Sequence, residues 1–212
     1  SVDEVAKEQL LASLERFVYA KCRKDIDAVL HASRAGRNDH DDGGDRDSDA
    51  KTMEELQLEL HDKMLSLQFV KPAHLEISTA LYREDIDVSY AVDQLRSIEE
   101  QSSPRQMLHH VLLAHRGVSG ALHDASRSGE SAPGADDVLP TLILAVLRAH
   151  PKNLPTSLRL VETFAPPSLL RGEAGYAYTN LCGAMQFVQE LDVEGHMAEA
   201  SLGGMGEGAV LS

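Results

Sequence analysis

Most hydrophobic residues in this sequence recur at the three- and four-residue spacing that is typical of amphipathic helices. The first such segment contains Leu10, Leu11, Leu14, Phe17 and Val18. This spacing predicts one apolar face on a helix that continues to about Ala32. No segment shows a convincing alternation of apolar and polar residues, which would predict a β-strand. The pattern therefore predicts an all-α protein.

Further helices are predicted along the rest of the chain, at 56–71, 72–81, 84–98, 103–122, 138–147, 154–164 and 173–191. Ser103 and Pro104 mark a helix start, because serine is a favoured N-cap residue and proline is favoured at the first helical position. The segment 138–147 is apolar on nearly all sides, so we expect it to form a central helix enclosed by the others.

Polar segments divide the chain into regions. Residues 34–50 are rich in Asp, Gly and Arg and predict a solvated, mobile insertion, and 124–134 form a second polar break. We expect an N-terminal helical bundle in residues 1–100, a functional core in 101–195 and a flexible tail in 196–212.

The charge of the chain argues against two classes of partner. Among 212 residues, 20 Lys plus Arg face 34 Asp plus Glu, which gives a net charge of −14. Nucleic acids and anionic membrane surfaces both require clustered basic residues, so neither is an expected partner. The longest nearly apolar run, 138–147, is too short to span a bilayer. We therefore expect a cytoplasmic protein without direct membrane insertion.

Familiar catalytic and metal-binding motifs are missing. Cys22 and Cys182 are too few for a four-cysteine zinc site. The segment 39–44 resembles the start of a calcium loop, but Ala50 stands where a bidentate glutamate is needed. Three histidines on one predicted helix lack the spacing of a zinc protease and are expected at the surface or between helices: His109, His110 and His115. Glycine motifs for phosphate, dinucleotide or nucleophile-elbow sites are absent, which argues against ordinary kinases, dehydrogenases and hydrolases.

Two adjacent aspartates precede the central helix. Proline lacks an N–H, so Pro140 is best accommodated if Asp137 is the N-cap and Pro140 the third helical residue. Asp136 would then project from the loop just ahead of a buried helix. The alternative is that both carboxylates simply complement the helix dipole.

The last predicted helix has two distinct faces. Its apolar stripe consists of Tyr178, Leu181, Cys182, Met185 and Val188. A different face carries Tyr176, Thr179, Asn180 and Gly183, at steps of three, four and seven residues. A phenol, a hydroxyl, an amide and the lack of bulk at Gly183 suit contact with another backbone, although an exposed polar helix side is the alternative.

Together these segments resemble the vacuolar-protein-sorting-nine (VPS-nine) domain family. The matching motifs are DDVLPTLI at 136–143, HPKNL at 150–154, FAPPS at 164–168, GEAGY at 172–176 and YTNLC at 178–182. Upstream, LQFVKP at 67–72 and SPR at 103–105 are similar to signatures of the Rabex-type members. The resemblance implies a helical bundle packed against a layered all-α exchange domain, and the family's domain could begin near residue 55.

The resemblance also implies a function and a site. Members of this family are guanine-nucleotide exchange factors for the Rab-five subfamily of small GTPases. Asp136 matches the family's acidic finger, which enters the nucleotide site of the GTPase, and Tyr176 and Thr179 match the residues that contact its switch segments. Asn180, Pro133 and Gly183 are further expected GTPase-binding positions.

The resemblance further implies that no cofactor or metal is bound by this chain, because GDP, GTP and Mg²⁺ belong to the partner GTPase. It implies a cytoplasmic protein that is recruited peripherally to early endosomes. Two other hypotheses stay open from the sequence. The protein could be a GTPase-binding adaptor that does not release nucleotide, or an all-α scaffold in which Asp136 is merely a helix cap.

Overall fold

The computed structural model describes residues 2–32, 52–77, 86–126 and 135–191. In these ranges the chain forms the helices α1 Val2–Ala32, α2 Met53–Ser66, α3 Ser89–Ile98, α4 Pro104–Ala125, α5 Ala135–Ala149, α6 Leu154–Phe164 and α7 Gly172–Glu190, with a 3₁₀ turn at Pro72–Leu75. These ranges contain no β-strand, which confirms the all-α prediction. None of their helices is long and apolar enough to cross a membrane. The insertion 34–50 and the tail 196–212 lie outside the described residues.

Side-chain caps account for where two of the helices begin. Ser103 has an extended backbone, its hydroxyl oxygen accepts a hydrogen bond from the N–H of Gln106, and Pro104 occupies the first helical position. Thr52 and Glu55 form a reciprocal capping box at the start of α2, with N···O distances of 2.7 and 3.2 Å. Each cap satisfies N–H groups that have no partner within the helix. The helix start at Ser103 was predicted correctly.

Helix α5 is the centre of the core. Every residue from 141 to 147 is buried, and α5 packs against α3, α4 and α7. The one polar residue in this run, Thr141, is satisfied because its hydroxyl donates to the carbonyl of Asp137 at 2.8 Å. The prediction of an enclosed central helix is confirmed, and the position of α5 fixes where its N-terminal turn reaches the surface.

Helix α7 packs on this core through its predicted apolar stripe, although Tyr178, Cys182 and Met185 of that stripe are only partly buried. Leu181 and Val188 are fully buried, together with Ala177 and Ala184. The phenol of Tyr178 donates to the carbonyl of Leu158 at 3.1 Å and so ties α7 to α6. The opposite face of α7 is left facing outward.

The two N-terminal helices differ in how much they contribute to the core. Helix α2 buries Leu60, Met64 and Leu67 and contacts α5, α6 and α7. Helix α1 has the predicted span, but its apolar face is exposed; the exposed side chains are Leu10, Leu11, Leu14, Phe17 and Val18. It is attached through buried Tyr19 and an ion pair between Glu15 and Arg105 at 3.1 Å. Periodicity predicted which face is apolar, whereas what covers a face depends on tertiary packing.

Candidate functional site

Asp136 lies in the first turn of α5 rather than in a preceding loop. The helix begins at Ala135, so Asp136 and Asp137 are both helical and Pro140 stands inside the helix. The expectation that Asp137 is the N-cap is therefore wrong. The missing N–H of Pro140 removes only the bond to the carbonyl of Asp136, which lies in an exposed turn, and both carboxylates interact favourably with the N-terminal end of the helix dipole.

The side chain of Asp136 is exposed on the protein surface. Among the described residues, its carboxylate makes neither a hydrogen bond nor an ion pair, so it is available to an incoming cation. The backbone that carries this carboxylate is held in place, because the first turn of α5 continues directly into the buried segment 141–147. The expected projection of Asp136 is thus present, although it comes from a helix turn instead of a loop.

The predicted polar face of α7 is only partly exposed. Tyr176 retains 51% of its accessible surface and Thr179 is exposed, while Asn180 and Gly183 are partly covered. The hydroxyl of Thr179 donates to the carbonyl of Gly175 at 3.0 Å, which leaves its oxygen lone pairs directed away from that bond. A partner would therefore meet an aromatic ring, a hydroxyl oxygen and an amide within two helical turns.

Leu139 connects the α5 turn to the α7 face, and sequence reasoning did not single it out. It follows Asp136 by one helical turn, so both residues lie on the same side of α5. Its Cδ1 atom is 4.0 Å from the position that a Cβ atom on Gly183 would take. Leu139 precedes the buried segment 141–147, and 38% of its own surface is exposed. Asp136, Leu139 and the α7 face thus form one continuous surface.

His115 supports this surface from α4, and sequence analysis expected it only as a surface or interhelical residue. Its ring is buried, with 8% of its surface exposed. The Nε2 atom lies 3.0 Å from Nδ2 of Asn180, and the ring meets that of Tyr176 edge-on at 5.4 Å between centroids. One residue further along α4, Arg116 forms a bidentate ion pair with Glu173 at 2.6 and 2.7 Å. A lone histidine in a helical segment carries no sequence signal that would have revealed these contacts.

The ionisable groups of this region have clear electrostatic environments. Burial lowers the pKa of His115, while the Glu173 carboxylate acts in the opposite direction. The hydrogen bonds from Arg116 lower the pKa of Glu173. Burial raises the pKa of the Cys182 thiol, so this thiol is protonated and is a poor nucleophile.

The candidate site is an open surface and not a cavity. The structure has a groove of about 460 Å³ between α3 and α4, but its lining residues include Tyr90, Gly117 and Asp124 and none of the predicted site residues. No three metal-ligating side chains gather within the described part of the chain. Pro133, also expected to bind the partner, lies outside the described residues. An open surface of this kind fits a macromolecular partner better than a small substrate.

Comparisons with known proteins agree with this description. The family model of the Vacuolar sorting protein 9 (VPS9) domain matches residues 88–193, which is half of the chain. The chain is 34% identical to Vacuolar protein sorting-associated protein 9A of Arabidopsis thaliana over 137 residues, covering 64% of this chain and 26% of that protein. It is 30% identical to the human Rab5 GDP/GTP exchange factor over 147 residues, covering 66% of this chain and 29% of that protein. The matched region thus spans less than a third of either relative.

Proposed function

Because the chain belongs to the VPS9 domain family, we propose that it is a guanine-nucleotide exchange factor for small GTPases of the Rab5 subfamily. The observation that carries the proposal is the continuous surface that joins the unpartnered Asp136 carboxylate on α5 to the polar face of α7. Similarity to a human protein named Rab5 GDP/GTP exchange factor supports the choice of GTPase.

Asp136 acts in this proposal as an acidic finger in the nucleotide site of the GTPase. The bound nucleotide is held by Mg²⁺, by backbone N–H groups and by a lysine on its phosphates. A carboxylate offers that lysine an alternative charge-assisted hydrogen bond, worth about 1.5–3 kcal/mol, and places negative charge beside the phosphates. A thousandfold faster release requires a barrier lower by about 4 kcal/mol. The finger and displacement of the switch segments together supply a change of this size.

The α7 face binds the switch segments of the GTPase. Tyr176 offers an exposed ring and a phenol, Thr179 a hydroxyl oxygen, and Asn180 an amide at the edge of the buried region. Gly183 adds no side chain, so a backbone segment can approach α7 closely there. This surface must bind the nucleotide-free GTPase more tightly than the loaded GTPase, since otherwise it could not shift the equilibrium toward release.

The chain itself needs no cofactor in this mechanism. GDP, GTP and Mg²⁺ are bound by the GTPase, and exchange makes and breaks no covalent bond. As a factor for the Rab5 subfamily, the protein acts in endosomal vesicle transport, as a cytoplasmic protein recruited peripherally to early endosomes. The excess of acidic residues fits this proposal, because the surface has to compete with phosphates for a cation.

Release of a fluorescent GDP analogue from a panel of Rab GTPases tests the proposal. We expect acceleration confined to Rab5 relatives, and a decrease of about 10- to 150-fold in Asp136→Asn, which corresponds to the loss of one charge-assisted hydrogen bond. Asp124→Asn is the matched control, since it removes an exposed carboxylate outside this surface and should exchange like the wild type. Binding without acceleration would instead support the adaptor hypothesis. Absence of binding to every GTPase would contradict both.

A further inference from the structure

The seam between α4 and α7 holds the polar face of α7 in place from behind. His115 reaches from α4 to Asn180, and its ring meets the edge of the Tyr176 ring. Its own carbonyl accepts from the hydroxyl of Ser119 at 3.2 Å, one turn further along α4. Two residues of the proposed docking surface therefore share one buried support.

The contact with Asn180 places its Nδ2 atom opposite Nε2 of His115. Because an amide NH₂ group can only donate, this pairing requires the neutral tautomer in which Nε2 accepts and carries no proton. With Nδ2 committed to the ring, the other amide atom of Asn180, its Oδ1, is free to accept from a partner. A neutral imidazole thus determines that the surface presents an acceptor at this position.

We propose that His115 is a positioning residue for nucleotide exchange, which fixes the amide orientation of Asn180 and the ring position of Tyr176 before the GTPase docks. This inference rests on the proposed function and deepens it. The imidazole does not touch the GTPase in this arrangement, because it is buried beneath the two side chains that do. Its contribution is to reduce the rearrangement that docking would otherwise require.

Protonation of His115 would reverse this arrangement. A protonated Nε2 donates, so the Asn180 amide has to turn, directing Oδ1 at the ring and its NH₂ group outward. Among charged groups of the described residues, Glu173 on α7 is the one that acts on the ring; it favours the protonated form, and its own charge is paired with Arg116 on α4. Burial outweighs this influence and keeps the ring neutral near pH 7, because it lowers the pKa from the ordinary 6.5. Where the pH, below 6.5, is low enough to protonate the ring, the surface loses its acceptor.

Exchange measured as a function of pH with His115→Gln tests the proposal. The glutamine amide can accept from Asn180 through its oxygen and does not titrate. We expect wild-type exchange on a Rab5-type GTPase, after subtraction of intrinsic release, to fall about three- to tenfold once the pH is low enough, below 6.5, for the ring to take up a proton. His115→Gln should stay nearly flat over the same range. His115→Leu should be slower by a similar factor at every pH, mainly through weaker docking. His110→Gln is the matched control, because His110 is also on α4 but contacts Gln94 at 2.8 Å on the α3 side.

The outcomes separate this inference from the proposed function. If the wild type accelerates release and His115→Gln follows the same pH profile, the positioning role is wrong while the exchange function stands. If no GTPase responds to the wild type, the proposed function itself fails. A double-mutant cycle with Asn180→Ala adds a second measurement. We expect His115→Leu to have a clearly smaller effect in that background, because only its contact with Tyr176 is left to lose, and full additivity would also overturn the proposal. Melting temperatures confirm that each variant is folded.

Discussion

At Gly175, α7 passes close to the backbone of the turn before it. A Cβ atom added at Gly175 would lie 2.4 Å from the carbonyl oxygen of Leu170 and 2.7 Å from its carbonyl carbon. Real Cβ atoms essentially never approach another heavy atom within 3.0 Å, so the overlap is at least 0.6 Å. The neighbour is backbone and cannot rotate away. In Gly175→Ala, either the turn at 167–170 or the start of α7 must therefore move.

The expected loss of stability follows from two opposing contributions. Overpacking of this kind costs about 1–3 kcal/mol, and replacing glycine by alanine in a helix returns about 0.5–1 kcal/mol. Because the overlapping neighbour is backbone, we expect the overpacking cost to lie in the upper part of that range, about 2–3 kcal/mol. The net destabilisation is then about 1–2.5 kcal/mol, which lowers the melting temperature by about 2–10 °C in a chain of this size. Because Tyr176 is the next residue, any shift of the α7 backbone moves its ring as well. Nucleotide exchange should fall together with stability.

Thermal and urea unfolding followed by circular dichroism measure this effect. The control is Gly120→Ala: Gly120 lies within α4, and a Cβ atom there would meet nothing within 4 Å. This control should raise the melting temperature by about 1–4 °C, through helix propensity alone. The two substitutions are chemically identical and are expected to have opposite signs. Equal or higher stability of Gly175→Ala relative to the wild type would refute the close-approach argument.

Two further substitutions on α7 separate stability from exchange. Gly183→Ala should raise the free energy of unfolding by about 0.5–1 kcal/mol, because the added Cβ would make only an ordinary 4.0 Å contact with Leu139. If a GTPase backbone packs against Gly183, the same substitution should slow GDP release several-fold, and unchanged exchange would contradict that placement. Tyr178→Phe should lower the free energy of unfolding by about 0.5–1.5 kcal/mol, because the 3.1 Å hydrogen bond from the phenol to the carbonyl of Leu158 is lost. In urea unfolding, the dependence of the free energy on urea concentration should not change, and an unaltered midpoint would show that this bond contributes nothing.

Local features of the fold were predictable from the sequence because they depend on neighbouring residues. The start of α4 followed from the adjacent Ser103 and Pro104, and the enclosed position of α5 followed from an unbroken apolar run. The start of α5 was predicted less well. Because a proline is unfavourable inside a helix, the N-cap was predicted at Asp137, with Pro140 as the third helical residue. The helix in fact begins at Ala135, and Pro140 lies about one turn further from the helix start than predicted. The one hydrogen bond that Pro140 cannot donate is lost near an exposed helix end.

The candidate site also has features that the sequence predicted and features that it could not predict. Helical spacing alone put Tyr176, Thr179 and Asn180 on one face of α7, since side-chain direction in a helix depends only on residue number. Spacing could not show that His115 lies behind Asn180, because the two residues are 65 positions apart and belong to different helices. Contacts of that kind arise only when helices pack.

The sequence by itself thus determined the helices and their apolar faces, because these depend on local spacing. It also carried the motifs by which the chain resembles the family to which it belongs. Only the tertiary structure decided which apolar faces are covered, leaving that of α1 exposed while that of α2 is buried. It alone joined the α5 turn to the α7 face through Leu139, because the burial of a side chain is a property of all the surrounding helices together.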